Sequence, residues 1–296
     1  MAEITANGVR LHVQRLGAPA DGKERQTVVM IHGLATDNLS SFYFTIGNPV
    51  ALEHEVILYD MRGHGRSERP PTGYTVDDGV ADLVGLLDAL EVHHPVVLLS
   101  NSYGGAVALG FAAAHPDRLA GMVMVESHFP VDGWGEHMAG SLAILAFGMD
   151  DESSKEYLAQ QGTRKLNRLA KQASGLIYDT TMLADLETTA TVTDAQLAAI
   201  DVPMLALYGS GSDIVARAED LERCVPNCEL EMFGDQSHWL LLEHPHGIVT
   251  RVLPFLASLG ADREAADLER ALVLDGIWAD GIGIDIDLRP GVEVVP

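Results

Sequence analysis

A serine at position 102 follows a run of apolar residues and precedes two glycines. Residues 96–99 read Val-Val-Leu-Leu, and residues 100–105 read Ser-Asn-Ser-Tyr-Gly-Gly. This order is typical of a buried strand, a sharp turn and the start of a helix. A serine on such a turn projects its hydroxyl above the sheet, and neighbouring glycines let the turn and the helix approach closely. Ser102 is therefore a candidate nucleophile, and a helix N-cap without chemistry is the alternative.

Three stretches of the sequence resemble motifs of the α/β-hydrolase family. Residues 100–105 match the latter part of its Gly-x-Ser-x-Gly elbow, although position 100 is Ser where the family usually has Gly. Residues 30–34, Met-Ile-His-Gly-Leu, resemble its His-Gly turn, and residues 59–67 resemble its Asp-x-Arg-Gly-x-Gly-x-Ser loop. The resemblance spans residues 1 to about 260. It implies an α/β fold with a mostly parallel sheet of about eight strands, flanking helices and an inserted helical cap.

The same resemblance implies the base and the oxyanion hole. The family places its histidine in a loop after the last strand, and His238 lies in the corresponding stretch 234–239. A neutral imidazole can take the hydroxyl proton of the serine and return it to the leaving group. The backbone amides of Leu34 and Tyr103 are the expected donors to the developing oxyanion.

Two carboxylates compete for the acid that orients His238. Asp213 lies just after a predicted strand and resembles the Gly-x-x-Ser-Asp form of the family's acid loop. Alignment with the commoner Gly-x-x-Asp form would instead put Ser212 at the acid position. Glu126 ends the preceding predicted strand, where some lactonases and polyketide thioesterases carry a similar acid. Both choices satisfy the chain order Ser, acid, His, and we favour Asp213 with Glu126 as the alternative.

A serine nucleophile implies hydrolysis through an acyl-enzyme, with no metal or organic cofactor. We predict cleavage of a carboxylic ester, lactone or thioester in a fairly hydrophobic small molecule. Residues 101–105 and 238–239 also resemble motifs of ring-fission hydrolases, which hydrolyse a carbon–carbon bond in vinylogous diketones. Against this alternative, residues 34–38 replace the Gly-rich oxyanion segment expected of that group. A ligand receptor that retains the fold without turnover is a third alternative.

Aromatic residues near the predicted cap are candidates for contact with the substrate. Phe129, Trp134, Phe147 and Trp239 have this place in the sequence, although such side chains more often serve packing than recognition. Their positions alone predict no ligand shape.

The elements that must position these residues follow from periodicity. An Asn-Gly pair between two alternating segments predicts an N-terminal hairpin. Short apolar runs then alternate with helical patterns, as in a parallel sheet. The alternation lapses between about 128 and 200. We therefore predict a core of residues 1–127 and 201–260 and a helical cap of residues 128–200. Residues 261–296 form an extension of unknown role, compatible with an edge strand, a homodimer contact or a loosely docked terminus.

Composition excludes several classes of partner. The 296 residues carry 43 acidic side chains against 19 Lys and Arg, a formal charge of −24. Such a chain would repel nucleic acids and anionic lipid surfaces. The sequence shows neither an export signal nor a membrane-spanning run, so we predict a cytoplasmic protein that acts on a small molecule. Cys224 and Cys228 lack a second pair of ligands at metal-binding spacing and are expected to be reduced thiols.

Overall fold

The computed structural model describes residues 2–17, 25–150 and 173–274, with the side chains of 144–150 and 261–274 left out of the description. The Phe147 side chain and residues 151–172 of the predicted cap therefore lie outside the described residues. The same holds for residues 275–296 of the C-terminal extension.

The described chain contains an eight-stranded sheet in the order β1-β2-β4-β3-β5-β6-β7-β8. Strands β1, β2 and β4 pair antiparallel, and all other neighbours pair parallel. The predicted α/β architecture with a mostly parallel sheet is confirmed. The strands are β1 (Ala2–Ala6), β2 (Val9–Leu16), β3 (Thr27–Ile31), β4 (Glu55–Tyr59), β5 (Val96–Asn101), β6 (Leu119–Val125), β7 (Met204–Gly209) and β8 (Cys228–Phe233).

Helices follow most of the parallel strands. They are α1 (Ser40–Phe42), α2 (Asn48–Ala51), α3 (Val76–Ala89), α4 (Gly104–Ala114), α5 (Trp134–Asp150), α6 (Met182–Glu187), α7 (Asp194–Ala198), α8 (Val215–Cys224), α9 (Leu240–Glu243) and α10 (Pro245–Leu274). A π-helical turn, Tyr43–Gly47, joins α1 to α2, a 3-10 turn covers Pro116–Arg118, and residues 173–178 are helical.

The N-terminal hairpin forms at the predicted Asn-Gly pair. Asn7 and Gly8 have φ angles of 48° and 75°. Two consecutive positive φ angles are typical of a tight hairpin turn whose twist matches the flanking strands. The turn adds two antiparallel strands to one edge of the parallel sheet.

The central strands are apolar on both sides because both faces of the sheet are covered. In β5, Leu98 belongs to one hydrophobic cluster, which includes side chains of α3 and α4. Val97 and Leu99 point to the opposite face and belong to a second cluster with side chains of α10. A strand buried on both faces has a continuous apolar sequence. The carboxyl ends of β5, β6 and β7 are thereby held side by side.

The connection from β6 to β7 is long, and the helices described in it are α5, residues 173–178, α6 and α7. This agrees with the prediction of helices over 128–200, while the boundary of a separate cap stays a prediction. Within the described part of the chain, no helix combines the length and the hydrophobicity that crossing a membrane requires.

Candidate active site

Ser102 occupies a strained turn between β5 and α4. Its φ angle is +52°, a region that side-chain-bearing residues rarely adopt. The turn is tight because α4 begins two residues later, at Gly104. A Cβ atom on Gly104 would overlap the carbonyl oxygen of Ile31 in β3. The glycine is therefore required for the turn to pack on the neighbouring strand, and the turn leaves the Ser102 hydroxyl partly exposed.

His238 lies within hydrogen-bonding distance of this hydroxyl. The distance from its Nε2 atom to Ser102 Oγ is 3.1 Å. The residue lies between β8 and α9, in the loop predicted from the sequence. The two segments are 136 residues apart, and the fold brings them into contact.

Glu126 is the carboxylate that faces the other side of the imidazole. Its Oε2 atom lies 3.3 Å from His238 Nδ1. The side chain is fully buried, and its backbone has a φ angle of +45° directly after β6. Gly209 N–H donates to Oε1 at 2.5 Å, and the Ser212 hydroxyl donates to Oε2 at 2.6 Å. These donors compensate the carboxylate for the water that it loses on burial.

Asp213, the acid that we favoured from the sequence, lies elsewhere. It is exposed in the turn before α8, and the carboxylate against His238 Nδ1 is that of Glu126. The preference for Asp213 is corrected on this geometry. The residue before it, Ser212, turns its hydroxyl to the buried acid, so the chain directs position 212 inward and position 213 outward. Because burial alternates along this turn, the inward-facing position is 212, one residue before the aspartate that the sequence favoured.

The backbone at Gly33 passes beside Ser102. A Cβ atom on Gly33 would lie 3.3 Å from Ser102 Cβ. The loop is fixed because Asp37 Oδ2 accepts the N–H of Gly33 at 2.7 Å. Within the described residues, the N–H groups of Leu34 and Tyr103 make no hydrogen bond. Both predicted oxyanion donors therefore have N–H groups that are unused inside the described chain, and Tyr103 directly follows Ser102.

Ser100 occupies the position where a glycine is usual, and Ser127 accommodates it. Ser100 is fully buried, and its Oγ atom lies 3.0 Å from Ser127 Oγ. The two hydroxyls join the ends of β5 and β6. Tyr208 donates its hydroxyl to the carbonyl of Ser127 at 2.8 Å. A small hydroxyl side chain therefore fits beneath the elbow because it has a buried partner.

The two histidines nearest the nucleophile in the upstream motifs support the loops around it. His32 Nε2 accepts the N–H of Met61 at 3.0 Å. His64 Nε2 accepts the N–H of Ala35 at 3.0 Å, and its Nδ1 atom lies 2.8 Å from the carbonyl of Arg62. Burial lowers the pKa of His64 to about 3, so it is neutral in the fold. Both rings therefore hold the backbone of neighbouring loops in place.

His128 is a member of the site that the sequence did not single out. Its ring contacts the ring of His238 edge to face, with centroids 5.2 Å apart. The backbone N–H of His128 also donates to the backbone carbonyl of Ser102 at 2.8 Å. Burial and the neighbouring His238 lower the pKa of His128 to about 4, so it is neutral at neutral pH. The sequence could have indicated His128 only through its place two residues after Glu126, and that place is informative only once Glu126 is known to contact His238.

The aromatic candidates for substrate contact differ in exposure. Trp239 is 60% exposed beside the base, whereas Trp134 is 5% exposed and stacks on Tyr103 with ring centroids 6.2 Å apart. Phe129 is fully buried beneath the guanidinium of Arg217. Trp239 is thus available at the surface, Trp134 borders the residue after the nucleophile, and Phe129 packs inside.

Comparison with known proteins decides the family. A family model described as the alpha/beta hydrolase fold matches residues 26–245. The chain belongs to the α/β-hydrolase fold family. The matched range includes Ser102, Glu126 and His238.

Relatives of this α/β hydrolase carry out several reactions. The 2-hydroxymuconate semialdehyde hydrolase of Pseudomonas sp. (strain CF600) is 29% identical over 277 residues, which are 88% of this chain and 94% of that protein. The non-heme chloroperoxidase of Streptomyces lividans is 27% identical over 284 residues, 86% of this chain and 98% of that protein. Est816, a solved structure described as an N-acyl homoserine lactone degrading enzyme, is 26% identical with a TM-score of 0.66, covering 86% of this chain and 100% of its own.

These similarities support a hydrolase and leave its substrate open. The relatives named above carry the names of different activities, and one fold serves many reactions. The α/β-hydrolase assignment therefore rests on the family, and the reaction must be argued from the side chains of this chain.

Proposed function

We propose that this protein is a serine hydrolase that cleaves an ester-type bond in a fairly hydrophobic small molecule, with Ser102, His238 and Glu126 as its triad. The observation that carries the proposal is the continuous contact from Ser102 Oγ to His238 Nε2 and from His238 Nδ1 to Glu126 Oε2, at 3.1 Å and 3.3 Å. Nucleophile, base and orienting acid are the three groups that this chemistry requires.

In the proposed mechanism, Ser102 Oγ attacks the carbonyl carbon while its proton moves to His238 Nε2. The amides of Leu34 and Tyr103 donate to the carbonyl oxygen as it becomes negative. The bond to the leaving group then breaks, and His238 returns the proton to the leaving oxygen or sulfur. Water repeats the sequence on the acyl-enzyme and releases a carboxylic acid. Glu126 stabilises the imidazolium that forms in both halves.

Carbon–carbon bond hydrolysis is the second candidate. Similarity to the 2-hydroxymuconate semialdehyde hydrolase over most of both chains favours it, as does the Asn-Ser-x-Gly-Gly sequence at 101–105. The same Ser102 and His238 would act, with a carbon leaving group in place of oxygen.

A substrate screen tests these two candidates. Purified protein is assayed with p-nitrophenyl esters, lactones and acyl thioesters, and with a coloured ring-fission dienoate followed by loss of absorbance. We expect hydrolysis of at least one ester-type class, abolished by Ser102→Ala. Turnover of the dienoate alone would favour the second candidate, and activity retained in Ser102→Ala would contradict both.

A further inference from the structure

The acid of the proposed triad is held by three contacts that differ in kind. Glu126 Oε1 accepts a backbone N–H from Gly209, whereas Oε2 contacts both Ser212 Oγ and His238 Nδ1. Ser212 is thus the side chain that shares the working oxygen with the base. Removing its hydroxyl changes the restraint on Oε2 without removing either catalytic group.

The Ser212 hydroxyl is itself oriented. Its side chain is buried, its N–H donates to the carbonyl of Gly209 at 3.1 Å, and its Oγ atom accepts the N–H of Ile214 at 3.3 Å. A hydroxyl carries one proton. Because an ionised carboxylate can only accept, this proton is the one that points to Glu126 Oε2. The turn after β7 therefore presents a fixed donor to the buried acid.

We propose that Ser212 is a positioning residue that fixes the Glu126 carboxylate against His238. The proposal rests on the proposed serine-hydrolase function. Ser212 Oγ lies 2.6 Å from the carboxylate oxygen that His238 contacts.

The test removes the hydroxyl of Ser212. Ser212→Ala should lower kcat about tenfold or more, the size of one hydrogen bond to a charged group, with little change in KM. Ser212→Thr keeps a hydroxyl and should restore most of kcat. Ser210→Ala is the matched control, since this serine lies in the same loop and its hydroxyl contacts the N–H of Asp235 instead of the acid. Equal kcat for wild type and Ser212→Ala would overturn the positioning role.

Folding and the proposed function are checked separately. Circular dichroism and thermal unfolding identify any variant that fails to fold, and the kcat of Ser212→Thr still tests the positioning role if Ser212→Ala does not fold. If wild type shows no hydrolysis that depends on Ser102, the proposed function fails. If wild type is active and the Ser212 variants behave as wild type, only the present inference fails.

Discussion

At the scale of single residues, the site depends on the burial of Glu126. The side chain has no solvent exposure and satisfies both oxygens with donors, and one of them faces the imidazole. A carboxylate in this place holds the neutral imidazole in the tautomer with its proton on Nδ1 and leaves Nε2 to accept from Ser102.

We expect Glu126→Gln to reduce kcat by about 10³–10⁴-fold, because an amide presents its own proton and favours the wrong tautomer of His238. Steady-state kinetics on the best ester from the screen measure the loss. Asp213→Asn is the comparison, and it should leave kcat near the wild-type value because Asp213 is exposed. The opposite pattern, with both variants folded, would return the acid role to Asp213.

At the scale of elements, the site is assembled where three parallel strands end. β5 delivers Ser102, β6 delivers Glu126, and the turn after β7 delivers Ser212. Ser102 N–H donates to the carbonyl of Val125 at 3.2 Å, and Glu126 N–H donates to the carbonyl of Leu207 at 2.9 Å. The backbone thus joins neighbouring strand ends at Ser102 and Glu126.

His238 lies in the turn after β8, and this turn is hydrogen-bonded to the turn after β7. The N–H of Ser210 donates to the carbonyl of Phe233 at 2.8 Å, and the N–H of Gly211 donates to the carbonyl of Gln236 at 2.9 Å. Because the turn after β8 is bonded to the turn after β7, His238 and the residues around Glu126 keep one relative position. This preorganisation is what the proposed acyl transfer requires of its base.

Gly104→Ala should lower the free energy of unfolding by about 1–3 kcal/mol, as overpacking does in a close-packed interior. The added Cβ would overlap the carbonyl oxygen of Ile31 and lie 2.9 Å from that of His32. Urea-induced unfolding measures the change.

Gly140→Ala is the control for this substitution. Gly140 lies in α5 with no atom within 4 Å of an added Cβ, and the change should leave the protein as stable or up to about 1 kcal/mol more stable. Equal stability of the two variants would contradict the close packing of the elbow on β3.

Most strands could be predicted because they are buried on both faces. The runs at 27–31 and 96–99 are continuous apolar segments bounded by polar or Gly-rich turns, and each became a central strand. The helix α8 and the short helices at 40–51 were not predicted. Ile46 and Val50 are buried at helical spacing there, but Gly47 and Pro49 between them obscure the periodicity.

The acid could not be predicted for a different reason. Glu126 and Asp213 both follow apolar runs, and both precede His238 in the chain. Which carboxylate meets Nδ1 depends on the direction of one turn after β7, where Ser212 faces inward and Asp213 outward. Side-chain direction in an irregular turn depends on tertiary contacts, such as the hydrogen bond from Ser212 to Glu126, which no local pattern encodes.

At the scale of the whole molecule, buried neutral histidines link stability to pH. The pKa of His64 is lowered to about 3 and that of His128 to about 4, chiefly by burial. The unfolded chain binds these protons near pH 6.5, the ordinary value of the side chain. Below about pH 6.5 the unfolded state therefore holds more protons than the folded state, and the stability present above that pH is lost as pH falls towards 4.

The free energy of unfolding should thus decrease from pH 7 to pH 5. At pH values below its unfolded pKa, each of these histidines lowers the free energy of unfolding by up to about 1.4 kcal/mol for each unit by which the pH falls. Urea unfolding at a series of pH values measures the slope of the free energy of unfolding against pH. His64→Gln should reduce this slope by the contribution of about one proton. A slope of zero in wild type, or an unchanged slope in the variant, would contradict the neutral burial of His64.

The central claim is that the Ser102 hydroxyl is activated by His238, and covalent labelling tests it most directly. A fluorophosphonate forms a bond from phosphorus to the serine oxygen as fluoride leaves, and mass spectrometry of peptides locates the added group. We predict one label per chain at Ser102, far slower labelling in His238→Gln and none at this position in Ser102→Ala. Wild-type protein that stays unlabelled, or that is labelled equally fast without His238, would contradict the account.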